Sequence, residues 1–431
     1  MYSKSTSQGF GAFLLLWVTQ SFSELGSSMT NFALVVWSYQ QHGSALTTAL
    51  LTVCSYAPYV LLSVFAGAWS DRWNQKVTML AADCFAALCT ISILILLQAG
   101  SLEIWHLYVL NALNGLMNTV QQPASDVAVS LLAPRRLYQR VGGLRAFSNA
   151  LITILTPALA TALLSFTSLQ VVIAVDLFSF SVAFLALLLF IHIPRVPQSE
   201  PTDSVFALVR GGLRYLAQHR GILDLILFLA LINLTASMFN AALPAMLLPR
   251  RGETALGLVN TFTGLATLAG SLLVSLAPAP KSRVRVILNS LLFAMSTENF
   301  LLAFGRSTPV WCVAAVLGWL FIPVMNANLD ALFRLNIPIE IQGRVYAARN
   351  TLQFFTIPLG YFIGGLLVDR VFEPLLARQL PDSLLVTLFG SGKGAGAACL
   401  FFLLGLFGLF SCLPFRRDRH IWALEQSPTP E

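Results

Sequence analysis

The sequence predicts an all-α integral membrane fold, with twelve transmembrane helices arranged as two parallel-repeat six-helix bundles. Three observations carry that expectation. Of the 431 residues 56% are apolar and only 10% charged, against about 25% charged in an ordinary soluble domain. Apolar runs of about 20 residues, enough to cross roughly 30 Å of hydrocarbon as a helix, recur along the whole chain, and they are continuous rather than alternating, so barrel strands are excluded. The chain also repeats itself. Leu25, Ser28, Met29, Asn31, Ala33 and Leu34 return with identical spacing as Leu234, Ser237, Met238, Asn240, Ala242 and Leu243, and Asn233 stands where the first copy has Glu24.

Span 1 runs roughly from Phe10 to Trp37 and carries Gln20, Glu24, Ser27 and Asn31 within about 60° of one another on a helix. It is too long and too polar for a cleaved leader and is expected to stay in the membrane. A short outer turn at Gln40 to Ser44 leads to span 2, Leu46 to Trp69, and then to the charged loop GAWSDRWNQK. Span 3 ends near Gln98 and holds Asp83. Span 4, from Ile104 to Val120 or a turn beyond, aligns Asn111, Asn114, Asn118 and Gln122 on one face. Three asparagines and a glutamine in line exceed what one helix contact needs and point to a wet cavity.

A second repeat signal follows. Asp126 precedes Pro134 as Asp330 precedes Pro338, Gln122 matches Asn326, and Asn149, Leu151 and Pro157 of span 5 match Asn350, Leu352 and Pro358 of span 11. Parallel repeats of this kind are related by an axis along the membrane normal and hold a site near the midplane. Span 6 starts near Leu169 with Asp176 two turns in and ends at Pro194. Between Pro194 and Arg220 lies a proline-bearing connector with an amphipathic stretch, Ser204 to Gln218, whose Arg210, Arg214 and Gln218 share one face suited to the cytoplasmic leaflet. Spans 7 to 12 fall at Gly221–Leu247, Ala255–Leu276, Val284–Phe304, Pro309–Leu332, Val345–Val368 and Gly396–Leu413. The expected organisation is therefore a first bundle over 1–193, a linker over 194–220, a second bundle over 221–415 and a cytoplasmic tail over 416–431.

Net charge is +7, but its placement is a topology signal rather than a nucleic-acid footprint. With the N-terminus inside, only Arg250, Arg251, Arg306, Arg370, Arg378 and Lys393 of the 26 basic residues fall outside, so both termini are expected in the cytoplasm. Six cysteines sit in apolar spans with no CxxC pair and no histidine at ligand spacing, and read as small apolar residues. GSGKGAG before span 12 lacks the Ser or Thr and the strand context of a phosphate loop. No nucleophile, base and orienting group converge, so no enzyme activity, cofactor or metal is expected.

Gly67, Asp71, Arg72 and Lys76 match the G-x-x-x-D-R-x-x-x-[RK] loop of the major facilitator superfamily, and with the repeat and the twelve spans the chain resembles that superfamily over nearly its whole length. GSALTTALL, EIWHLYVLNALNG, VDLFSFSVAFL and IPLGYFIGGLLVDRVFEPLL make it most similar to bacterial exporters of the enterobactin-exporter and macrolide-efflux type. The resemblance implies a monomer in the bacterial inner membrane that moves a small-molecule substrate outward against protons. Two departures stand: Asn111 replaces an arginine often found four residues before a span 4 glycine, and Pro157 is nearly all that remains of a glycine-rich span 5 signature.

Glu24 is the deepest carboxylate, and a charge there costs roughly 2.5–3.5 kcal/mol, so it should carry a proton part of the time, be paired, or sit beside water. Carrying the exchanged proton and serving as a hydrogen-bonded structural acid are both open to it. Glu298 is the rival, placed by resemblance on a peripheral helix. The expected cavity uses Gln20, Asn31, Asn111, Asn114, Asn118, Gln122, Asn233, Ser237, Asn240, Asn326 and Gln353, a lining suited to an amphipathic, hydrogen-bonding solute. By resemblance, Asp71 meets the positive end of span 11 near Arg344 and Arg349, forming with Gly67, Arg72 and Lys76 a conformational latch. Import or uncoupled facilitation remains an alternative, as does a non-transporting scaffold or receptor.

Overall fold

Local rules set where each helix begins. Asn74 Oδ1 accepts from the backbone N–H groups of Lys76 (3.1 Å) and Val77 (3.3 Å), Ser282 Oγ accepts from Arg285 N, and Asp418 Oδ1 accepts from His420 N at 2.8 Å; each supplies an oxygen to donors that a helix start leaves unpaired. Gly43, at φ 59°, makes the tight turn after the first helix.

The computed structural model describes residues 2–70, 74–133, 138–193, 213–276, 278, 280–338 and 342–425, without the side chains of 2–9, 63–70, 138–140, 342–344, 346 and 347. Among the described residues all regular structure is helical. The first six helices are α1 (Tyr2–His42), α2 (Ala45–Ser70), α3 (Gln75–Gln98), α4 (Ile104–Leu132), α5 (Tyr138–Phe166) and α6 (Leu169–Leu189). Then come α7 (Arg220–Leu276), α8 (Arg283–Phe304), α9 (Thr308–Trp319), α10 (Ile322–Asn336), α11 (Gln342–Phe354) and α12 (Thr356–Leu367). A π-helical turn (Val368–Phe372) links α12 to α13 (Glu373–Ala377), followed by α14 (Leu384–Phe389), α15 (Ala395–Arg416) and α16 (Arg419–Ala423).

Nine helical stretches among the described residues are long and apolar enough to cross a membrane. α7 spans 57 residues but breaks at Gly252 (φ 71°, ψ −173°), so it is two rods end to end. α1 and α4 are as long, with 41 and 29 residues, but Glu24 and the amide stripes dilute their apolar character.

The chain divides into two compact units. Unit 1 comprises Met1–Ser38 with Cys54–Thr202; unit 2 comprises Tyr39–Val53 with Asp203–Glu431. In unit 1 a core joins Phe13 and Leu16 of α1, Met79 of α3, Ala124, Ala128 and Leu132 of α4, and Leu187 of α6. Two close crossings tighten it: a β-carbon on Gly115 would lie 2.0 Å from the Ser55 carbonyl oxygen, and one on Gly26 would lie 3.0 Å from Asp176 Cα. In unit 2 the core joins Leu225 and Phe228 of α7, Ile287 and Leu291 of α8, Leu329 and Phe333 of α10, and Ala348 of α11. Leu216, in a helical stretch at 213–218, and Ile421 of α16 also belong to it. Glu425 accepts from Val284 N at 2.6 Å, so the tail is docked as far as 425.

The cysteines are free; Cys89, Cys312, Cys399 and Cys412 are buried, Cys54 is half-buried and Cys84 is exposed on α3. The segment 194–212, including Arg210, lies outside the described residues.

Gly115→Val would force α2 and α4 apart against unyielding backbone. It should cost about 1–3 kcal/mol or more, read as a lowered unfolding midpoint of the purified protein, whereas Gly142→Ala, where nothing lies within 4 Å of an added β-carbon, should leave the midpoint unchanged.

Candidate functional site

In unit 1, α1 buries Phe13, Leu16, Met29 and Ala33 and leaves Glu24, Ser27 and Asn31 exposed. Of the polar stripe, Glu24 and Asn31 are therefore not consumed by packing within their own unit. Glu24 lies within electrostatic reach of Arg145 of α5, and Arg145 is itself bound to Asp126 of α4 at 2.6 Å. Gln20 points the other way. It lies beside buried Asp83 of α3, whose Oδ1 accepts from Gln121 Nε2 of α4, so Asp83 joins α3 to α4. Asp176 plays a similar part, accepting from Ser27 Oγ at 2.9 Å.

Along α4, Asn118 and Gln122 are exposed while Asn111 and Asn114 are half-buried. The stripe expected from sequence includes Gln122 and not Gln121, although Gln121 follows Asn114 and Asn118 at helical spacing and reaches the buried acid. The Asn114 Oδ1 atom is buried without a hydrogen-bond partner in the structure.

Unit 2 brings several expected residues into one cluster. Asn233 Nδ2 donates to the Gln353 backbone oxygen at 3.3 Å, Arg349 Nε donates to Gln353 Oε1 at 3.1 Å, and Arg349 also lies 3.6 Å from Asp330 and 4.6 Å from the Phe333 ring centre. Thus Asp126 with Arg145, and Asp330 with Arg349, form one ion pair in each unit at the same spacing along the chain. That equal spacing is the sequence signal by which both pairs could be found. Asn326 is exposed on α10 and Asn240 half-buried on α7. Ser237 is buried at a helix crossing, where a β-carbon on Gly360 would lie 2.6 Å from its own.

Of the latch residues, Asp71 and Arg72 lie outside the described residues, as do the surroundings of Gly67 and the side chain of Arg344. Lys76 Nζ donates to the carbonyl oxygens of Leu188 (3.0 Å) and Ile191 (2.7 Å), where a cation suits the carboxyl end of α6. Glu298 is buried in unit 2 and accepts from Trp319 Nε1 at 3.2 Å, with Gly318 leaving room for its carboxyl group.

A family model described as Major Facilitator Superfamily matches residues 16–360. Macrolide efflux protein A of Streptococcus pyogenes is 23% identical over 366 residues, which is 83% of this chain and 90% of that protein. Macrolide efflux protein A of Enterococcus faecalis is 24% identical over 312 residues, covering 71% and 96% respectively. Among solved structures, a point mutant of the nucleoside transporter NupG superposes with a TM-score of 0.73 at 12% identity over 94% of this chain and 99% of that one, a likeness of fold.

Asp83→Leu leaves the Gln121 amide without its acceptor and should cost about 1–3 kcal/mol. Asp83→Asn keeps a partner for Gln121 and should unfold close to wild type in thermal melts.

Proposed function

We propose that this chain, which belongs to the major facilitator superfamily, exports an amphipathic small molecule across the bacterial inner membrane by alternating access, in exchange for protons. The observation that carries this reading is the face of α1 on which Glu24 and Asn31 stay exposed. Polar surface at that depth in a bilayer must face a water-filled cavity rather than lipid. Asn118 and Gln122 on α4 and Asn326 on α10 add to the same kind of surface. The family supports twelve crossings: the nine apolar stretches, with α7 crossing twice and α1 and α4 joining them.

Glu24 is assigned the exchanged proton. When it ionises, Arg145 is the cation in reach, and Arg145 can pass between Glu24 and Asp126 as the charge on Glu24 changes. A membrane potential adds about 2.3 kcal/mol per charge per 100 mV to the exchange. Amides set among aliphatic and aromatic side chains suit a hydrogen-bonding, largely apolar solute, and the relatives are named for macrolide efflux. Siderophore-like and peptide-like compounds share that chemistry. The Asp71 latch at the cytoplasmic end belongs to the same reading.

In cells lacking their own drug exporters, the chain should lower erythromycin accumulation. A protonophore should abolish the effect, and Glu24→Gln should return accumulation to that of cells with empty vector at equal protein level. Undiminished proton-dependent efflux by Glu24→Gln would remove that residue from the mechanism.

Asp71→Asn should slow efflux while leaving erythromycin binding to the purified protein unchanged. Wild-type efflux rates would count against the latch.

A further inference from the structure

Two of the motifs singled out in the sequence, GSALTTALL (43–51) and VDRVFEPLL (368–376), have no part in the site described above, yet they meet. Asp369 Oδ2 accepts from Ser44 Oγ at 2.6 Å and from Leu46 N at 2.9 Å, while its Oδ1 accepts from Ala45 N at 3.0 Å. Ser44 in turn accepts from Thr47 N at 3.0 Å. The first N–H groups of α2, which no intrahelical carbonyl can satisfy, are therefore held by a carboxylate far away in sequence, and a negative charge at a helix N-terminus is favourable in its own right. One turn before Asp369, Gly365 lets the backbones touch: a β-carbon there would lie 2.6 Å from Leu46 Cα.

The geometry of the acid is unusual. Asp369 lies in the π-helical turn Val368–Phe372, a form that recurs at functional positions in otherwise regular helices. Just beyond that turn, Glu373 Oε1 accepts from Gly394 N (2.8 Å) and Gly396 N (3.1 Å), capping α15 in the same way. One helix end thus caps two others. They differ in where those helices go next. α15 stays in unit 2 throughout, whereas α2 leaves unit 2 after Val53 and continues as part of unit 1. The neighbouring end of α1, from Tyr39 on, also belongs to unit 2, with Tyr39 Oη donating to the Ala245 carbonyl (3.2 Å) and Gln40 Nε2 donating to Glu253 Oε2 (3.3 Å).

We propose that Asp369 is a releasable clasp on the first turn of α2, closed in this structure and opened and remade in each transport cycle, while Glu373 is a permanent anchor. The clasp rests on the transport reading given above, because only a cycle requires it to open. Hydrogen bonds to a helix end suit that duty, since water can replace them when the turn swings free.

Amide hydrogen exchange of the full-length protein in lipid nanodiscs tests this directly, because Ala45 N–H and Leu46 N–H are themselves the held groups. In Asp369→Ala, exchange in the peptide covering 43–48 should rise about tenfold or more, with the first turn of α15 unchanged and the unfolding midpoint within a few degrees of wild type. Gly365→Ala, which pushes the backbones apart without touching the acid, should give the same local signature. Unchanged exchange at 43–48 in both variants would overturn the clasp, as would a rise spread over every helix with a large fall in midpoint, which marks a structural cap. The readout needs no substrate: a local rise beside failed erythromycin efflux by the wild type would refute the proposed function and leave Asp369 a local cap, not a cycling clasp.

Discussion

A polar side chain within the hydrocarbon depth of a bilayer must be given a partner, water, or burial inside protein, because lipid offers none of these. In this chain that constraint sorts the polar residues into two classes. Asp83, Asp176 and Glu298 are buried and bonded to Gln121, Ser27 and Trp319. Glu24, Asn31, Asn118 and Asn326 are exposed on helices that bury their apolar faces. The first class holds helices together. The second is the surface that the proposed function assigns to solute and water.

Ion pairs show how the two units handle the same demand. Arg145 meets Asp126 across α5 and α4, and Arg349 meets Asp330 across α11 and α10. Arg349 is further committed, to Gln353 and to the face of Phe333, whereas Arg145 has Glu24 within reach. Asn233, which the sequence repeat aligns with Glu24, is bonded to the Gln353 backbone.

Much of this is legible in sequence because apolar runs and helical spacing are local properties. The spans expected around α2, α8 and α15 agree with the helices within a few residues, as do the end of α3 and the start of α6, and angular spacing alone marks the stripe on α1 as polar. What escapes is set by tertiary packing. Nothing local distinguishes Gln121 from Gln122, since neighbours on a helix differ only in which face meets another helix. Lys76 reads as a cytoplasmic charge, yet its ammonium group is committed to the end of α6, a contact made across 112 to 115 residues of sequence. Asp369 is invisible as a cap for the same reason, its partners being 323 to 325 positions away.

The central claim, that movement of an amphipathic solute is driven by protons through Glu24, is tested most directly by proton flux in vesicles containing only the purified protein. Adding erythromycin on one side should drive proton movement in the opposite direction, in proportion to the drug gradient, and Glu24→Gln should show none. Drug movement with no accompanying proton flux in the wild type, or equal proton flux in Glu24→Gln, would contradict the account.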